Sequence, residues 1–239
     1  MYADVYAPPA AIELPEQRRA AFLRKTYAHL LVAILAFIGV DAAILTLVPD
    51  DVLFGLVSMI GGGIGWLIVL GAFMLVSWVA QSMARSTTSL PLQYAGLGLY
   101  VVAEAVIFVP ILLMATLMAG GGFEIILTAG ALTGLVFTAL TVFVFVSGIH
   151  FGFLRGVLLI GGIAAMGAIG VSLIAGWSLG IWFTALMIAF ASGAVLYQTS
   201  MVLHDYREGQ HVAAALGLFA SVALLFWYVL RLVMAFSRD

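Results

Sequence analysis

The chain has 239 residues, is 65% hydrophobic and only 8% charged, and has a mean hydropathy of +1.23. A soluble domain carries about 25% charged residues, so there is too little polar surface to coat a globule in water, and lipid is the expected solvent. The net charge of −2 gives nucleic acid no reason to bind, and the absence of cysteine excludes disulfides, thiolate catalysis and cysteine-held metals.

The opening stretch MYADVYAPPAAIELPEQRRA is polar and contains proline. It lacks the basic-then-apolar order of a cleaved signal peptide. Residues 1–21 are expected to form a polar cytoplasmic segment, and 22–239 a single transmembrane domain. A crossing needs about 20 apolar residues, and spans are predicted near 22–48, 54–80, 91–119, 124–149, 154–175, 179–203 and 212–236. The breaks are VPDD at 48–51, ARSTTSLP at 84–91, AGGGFE at 119–124, GIHFGFLRG at 148–156, GWSLG at 176–180 and HDYREGQH at 204–211. The GWSLG break carries no charge. Without it, however, the stretch from 156 to 203 would be far too long for one crossing. The expected fold is all-α, an integral membrane bundle of seven helices.

An odd number of crossings places the termini on opposite sides. With the N-terminus in the cytoplasm, Arg18, Arg19, Arg24, Lys25, Arg85, Arg155 and Arg207 collect inside, and only Arg231 and Arg238 lie toward the outside. Trp78, Tyr94 and Trp177 fall near span ends, where aromatic rings anchor at the interface. Small residues four apart, Gly61/Gly65 and Gly130/Gly134, permit close helix approach. No internal repeat stands out, which disfavours an inverted-repeat transporter.

Ionisable groups inside a membrane are costly and turn inward. Glu104 falls about 20 Å from the inner end of the third span, near the midplane, with Pro110 six residues on to free a carbonyl and kink the helix. A carboxyl at that depth is expected to rest neutral, donating a hydrogen bond, and to take a cation when ionised. The alternative is a purely structural hydrogen bond. Asp41 and Arg231 both lie in the outer halves of their spans, so an ion pair between them is one expectation and snorkelling of Arg231 the other. Gln198 and Ser221 fall in the cytoplasmic halves of the sixth and seventh spans, within a turn or two of each other, at hydrogen-bonding reach across antiparallel helices. His29, His150, His204 and His211 share no helix face and no HExxH occurs, so no metal site and no cofactor are expected. Ser192 lacks a GxSxG elbow and an intramembrane histidine partner. The sole lysine, Lys25, lies at the end of a span, where it cannot carry a buried Schiff base. No enzyme is expected.

FLRKTYAHL at 22–30, AEAVIFVPIL at 103–112, TAGALTGLVFTALTVFVF at 128–145, VLYQTSMVLHDY at 195–206 and AAALGLFASVALLFWYVLRLV at 213–233 together resemble the Bax inhibitor family of small multi-pass proteins, over most of the chain from Phe22. The resemblance implies a seven-helix bundle with the seventh helix central, in the bacterial inner membrane. It also implies a pH-sensitive calcium leak whose sensor is an aspartate pair on helices six and seven. At those two positions this chain carries Gln198 and Ser221, and His150 stands where the family's fourth loop commonly has Lys-Asp-Phe. An amide and a hydroxyl cannot share a titrating proton as two carboxyls do, so that sensing mechanism does not transfer. Two functions stay open at this point. One is a leak for calcium or another cation, using Glu104. The other is a non-conducting protein that binds and modulates other membrane proteins, such as a membrane-bound protease. The lipid bilayer is a partner in either case.

Overall fold

The computed structural model describes residues 9–60 and 63–237. Eight α-helices run through them: α1 (Glu16–Leu47), α2 (Asp50–Ile60), α3 (Gly63–Ala84), α4 (Leu90–Met118), α5 (Glu124–Ser147), α6 (Leu154–Ala175), α7 (Gly180–His204) and α8 (His211–Phe236). Short 3-10 turns occur at Ala11–Glu13 and Phe151–Phe153. No strand occurs among the described residues, only an isolated bridge between Ala10 and Arg207. Seven helices, all but α2, are long and apolar enough to cross a membrane.

The helix ends follow local chemistry. Ser89 caps α4 by accepting from the Leu92 N–H at 3.3 Å, with Pro91 in the first turn. Gly148 and Gly176 close α5 and α6 at φ 63° and 71°, left-handed conformations that a Cβ would strain. Two boundaries differ from the sequence expectation. Helix α1 starts at Glu16 rather than 22, because Glu-Gln-Arg-Arg is good helix-forming sequence outside the apolar stretch. The second predicted span, 54–80, is two helices. The apolar run in fact starts a short α2, which places Asp50 and Asp51 in its first turn and buries Leu53 beside Val109 and Leu113 of α4. The spanning piece is α3, beyond Gly61-Gly62.

The lipid-like exterior and the core are equally apolar, so burial tells them apart. Helix α8 is the most enclosed, α4 comes next, and α3 and α6 are the least buried. Helix α8 touches α1, α3, α4, α5 and α7, which makes the seventh span central. Around it stand Phe37 of α1, Tyr100 and Phe108 of α4, and Phe219 and Trp227 of α8. Phe37 meets Phe108 edge-on at 5.0 Å between ring centroids and Phe219 at 5.9 Å. Tyr100 meets Phe219 at 6.1 Å, and Phe108 meets Trp227 at 5.0 Å. Edge-to-face pairs of this kind add to packing where the hydrophobic effect between helices is absent.

The closest helix approach is not where the glycine spacing placed it. Gly61 lies outside the described residues. Gly130 and Gly134 face outward with nothing within 4 Å of a Cβ, because α5 turns Ala129 and Thr133 inward instead. The tight crossing is α3 on α4. A Cβ on Gly96 would stand 2.5 Å from the Ala80 carbonyl oxygen and 2.7 Å from the Ala84 nitrogen. Ala80 and Ala84 are themselves a small pair four apart.

Candidate functional site

One end of the bundle, the basic end, carries Arg18, Arg85, Arg155 and Arg207; the other, the acidic end, carries Asp50, Asp51 and Glu124. Helix α4 runs from the basic end, and Glu104 lies about 21 Å along it. Its side chain is only 7% exposed, and Oε2 has no hydrogen-bond partner. Tyr100, one turn nearer the basic end on the same helix face, sits beside it.

Asp41 is the last member of an inward stripe on α1 formed by Phe22, Thr26, Leu30, Ala33 and Phe37. It is 4% exposed, both carboxyl oxygens are unpartnered, and it lies within Coulombic range of Glu104. Buried polar atoms almost always find a partner. Three carboxyl oxygens in one region without one, both of Asp41 and Oε2 of Glu104, are therefore the most conspicuous polar feature of the membrane interior. Asp41 and Arg231 form no salt bridge. The two salt bridges among the described residues are Arg18–Glu208 and His150–Asp205, both near the basic end. Arg231 is partly exposed, as snorkelling requires.

Glu104 borders a cavity of about 440 Å³ between α3, α4, α6 and α8. Trp66, Phe73, Phe108 and Trp227 form aromatic walls. Arg231 and the α6–α7 connection at Trp177–Leu179 lie toward the acidic end. Counting along α8 from its start, Arg231 lies about 10 Å further toward that end than Leu224, which is level with Glu104. This vestibule thus extends from the depth of Phe73 and Glu104 toward the acidic end.

Gln198 and Ser221 sit at the basic end of the interior. They do not hydrogen-bond to each other. The Ser221 hydroxyl donates to the Gly217 carbonyl at 3.0 Å, back along its own helix. Gln198 lies over the bare Cα of Gly217, where a Cβ would stand 2.8 Å from its Oε1. With Gln81, Arg85 and Tyr206 it borders a separate cavity of about 70 Å³. Burial pushes the Tyr206 phenol above its usual range, and the nearby Arg85 charge opposes that rise. Tyr100 and Phe219 border neither cavity, but along α8 Phe219 falls at a depth between Leu216 and Gly217, which border this one, and Leu224, which borders the vestibule.

Sequence reasoning missed the pairing of the histidines. They share no helix, yet the fold brings them together two by two. His29 and His211 stand 4.8 Å apart, with His29 Nδ1 at 2.7 Å from the Lys25 carbonyl oxygen and Nε2 at 3.0 Å from the Tyr94 hydroxyl. His150 and His204 stand 4.9 Å apart, with His150 Nε2 at 2.9 Å from Asp205 Oδ2. The only signal in the sequence was that all four fall at predicted span ends on one side. Among the described residues no group of three ligating side chains could hold a metal. The segment before α1 also docks at this end: the Ala11 N–H donates to the Tyr206 carbonyl at 3.1 Å, and Arg18 pairs with Glu208.

A family model described as "Inhibitor of apoptosis-promoting Bax1" matches residues 19–238. An uncharacterized protein of Pseudomonas aeruginosa is 35% identical over 126 residues, which cover 52% of this chain. The match spans 55% of that relative's length. No solved structure matches the chain.

Proposed function

This chain belongs to the Bax inhibitor family, and from that premise we propose that it conducts cations, calcium among them, along a path through Glu104. The proposal gives the chain no catalytic step and places it in a bacterial inner membrane with the N-terminus in the cytoplasm. The observation that carries it is the pair of buried carboxyls. Glu104 and Asp41 hold enclosed, unpartnered oxygens inside the bundle, and Glu104 also borders the vestibule. Ionisable groups there cost several kcal/mol and mark ion paths when they persist. Gln198 and Ser221 supply dipoles but no charge. The packed rings of Tyr100 and Phe219, at a depth between the two cavities, are the barrier.

The test is calcium and proton flux into liposomes that contain only this protein. Glu104→Gln keeps size and hydrogen bonding and removes the charge. Flux is expected to fall about tenfold, with thermal stability nearly intact. Unchanged flux would remove Glu104 from the path. Absence of wild-type flux between about pH 6 and pH 8 would favour the rival role, a bundle that docks other membrane proteins.

Orientation has its own test. Ser237 is exposed at the end of α8, in a chain without native cysteine. A cysteine placed there is expected to react with an impermeant maleimide on intact cells. Labelling only after lysis would put both termini in the cytoplasm.

A further inference from the structure

We propose that the vestibule between α3, α4, α6 and α8 is a binding site for a hydrophobic organic ammonium ion, with Glu104 as its counter-ion. The cavity, at about 440 Å³, lies within the range of roughly 300–1,000 Å³ typical of small-molecule sites. Its shape and chemistry have two halves. Glu104 is more than nine-tenths buried and borders the cavity, while its Oε2 is enclosed by protein and has no donor. The walls beside and beyond it are the rings of Phe73, Phe108, Trp66 and Trp227, with Trp66 and Trp227 stacked 6.1 Å apart. An acyl chain from the bilayer would suit the walls but leave the carboxyl unpartnered. A hydrated metal ion would suit the carboxyl but waste the aromatic surface. An apolar body bearing N–H donors and a positive charge satisfies both, because ring faces attract cations and a carboxylate takes a charge-assisted hydrogen bond.

The charged and titratable groups facing Glu104 are few. They are Tyr100 on its own helix, Asp41 from α1, and Tyr228 and Arg231 from α8. Asp41 adds negative character near Glu104. Arg231 is the one opposing charge, partly exposed and about 10 Å nearer the acidic end. The carboxyl proton leaves to solvent as the ammonium enters. The proposal shares Glu104 with the permeation reading but not its readout, since binding is scored without flux.

The experiment is equilibrium dialysis of 1-naphthylmethylammonium and its neutral analogue 1-naphthylmethanol against the full chain in phosphatidylcholine nanodiscs, with empty nanodiscs as blank. The expected result is saturable one-to-one binding of the ammonium above the blank, with the alcohol about tenfold weaker. Glu104→Gln is expected to weaken the ammonium about tenfold and leave the alcohol unchanged. Trp66→Leu, in the aromatic wall, is expected to weaken the ammonium severalfold, and keeps the test open should the Glu104 variant not fold. Arg231→Gln is expected to tighten the ammonium. Equal binding of ammonium and alcohol would overturn the proposal as an apolar cleft for lipid. Unchanged ammonium affinity in Glu104→Gln or Trp66→Leu would overturn it too. Weaker ammonium binding in Arg231→Gln would overturn the role assigned to the wall charge.

Discussion

Gly96→Ala is expected to destabilise the bundle by about 1–2 kcal/mol, although alanine is the better helix former. Alanine gains about 1 kcal/mol over glycine in a helix interior. Against that, the added methyl would stand 2.5 Å from the Ala80 oxygen and 2.7 Å from the Ala84 nitrogen. These are backbone atoms inside α3, so no side chain can rotate away, and the crossing must open. Overpacking of this kind costs about 1–3 kcal/mol by itself, and here it also loosens the contact that seats α3 against α4. Gly130→Ala is the control, because nothing lies within 4 Å of its Cβ position. It is expected to be neutral or stabilising by up to about 1 kcal/mol. Paired thermal unfolding of the two variants in detergent checks this. Equal melting temperatures would mean that the α3–α4 crossing is not the close one.

Phe219→Ala is expected to cost about 3 kcal/mol and to raise cation leak rather than abolish it. Phe219 is 2% exposed and packs edge-on against both Phe37 and Tyr100. Its neighbours on α8 border the basic-end cavity on one side and the vestibule on the other. Removing the ring leaves a void in the core at a depth between the two cavities, which flank polar groups, Gln198 and Glu104. A void with polar partners at both ends admits water, whereas an apolar one stays dry. Liposome flux and thermal unfolding on the same preparation read both effects. Lower stability with unchanged flux would leave Phe219 as packing only.

The features behind these expectations differ in how far the sequence alone reveals them. The depth of Glu104 follows from counting residues along an apolar run, because the rise per residue is constant. The replacement of the family's aspartates by Gln198 and Ser221 is likewise legible, since a motif match is positional. That Ser221 bonds to Gly217 and not to Gln198 was not legible, because two residues at equal depth can face different neighbours. The Asp41–Arg231 expectation had the same weakness. Depth allowed it, but the stripe from Phe22 to Asp41 turns Asp41 toward α4 and the region of Glu104. The histidine pairs needed three loops and the ends of α1, α5, α7 and α8 to be placed together.

Sequence by itself determined the solvent, the seven crossings, the family and the breaks between crossings, though not the end of α2 at Ile60. Those properties rest on transfer to lipid and on local backbone chemistry, which act residue by residue. Only the tertiary structure decided which face of each helix turns inward. In water, an apolar stripe announces that face. Here the helices are apolar all round, because lipid tails are as apolar as the core. Their rotation is set by close packing, such as Gly96 on Ala80, and by the few polar groups that lipid will not accept.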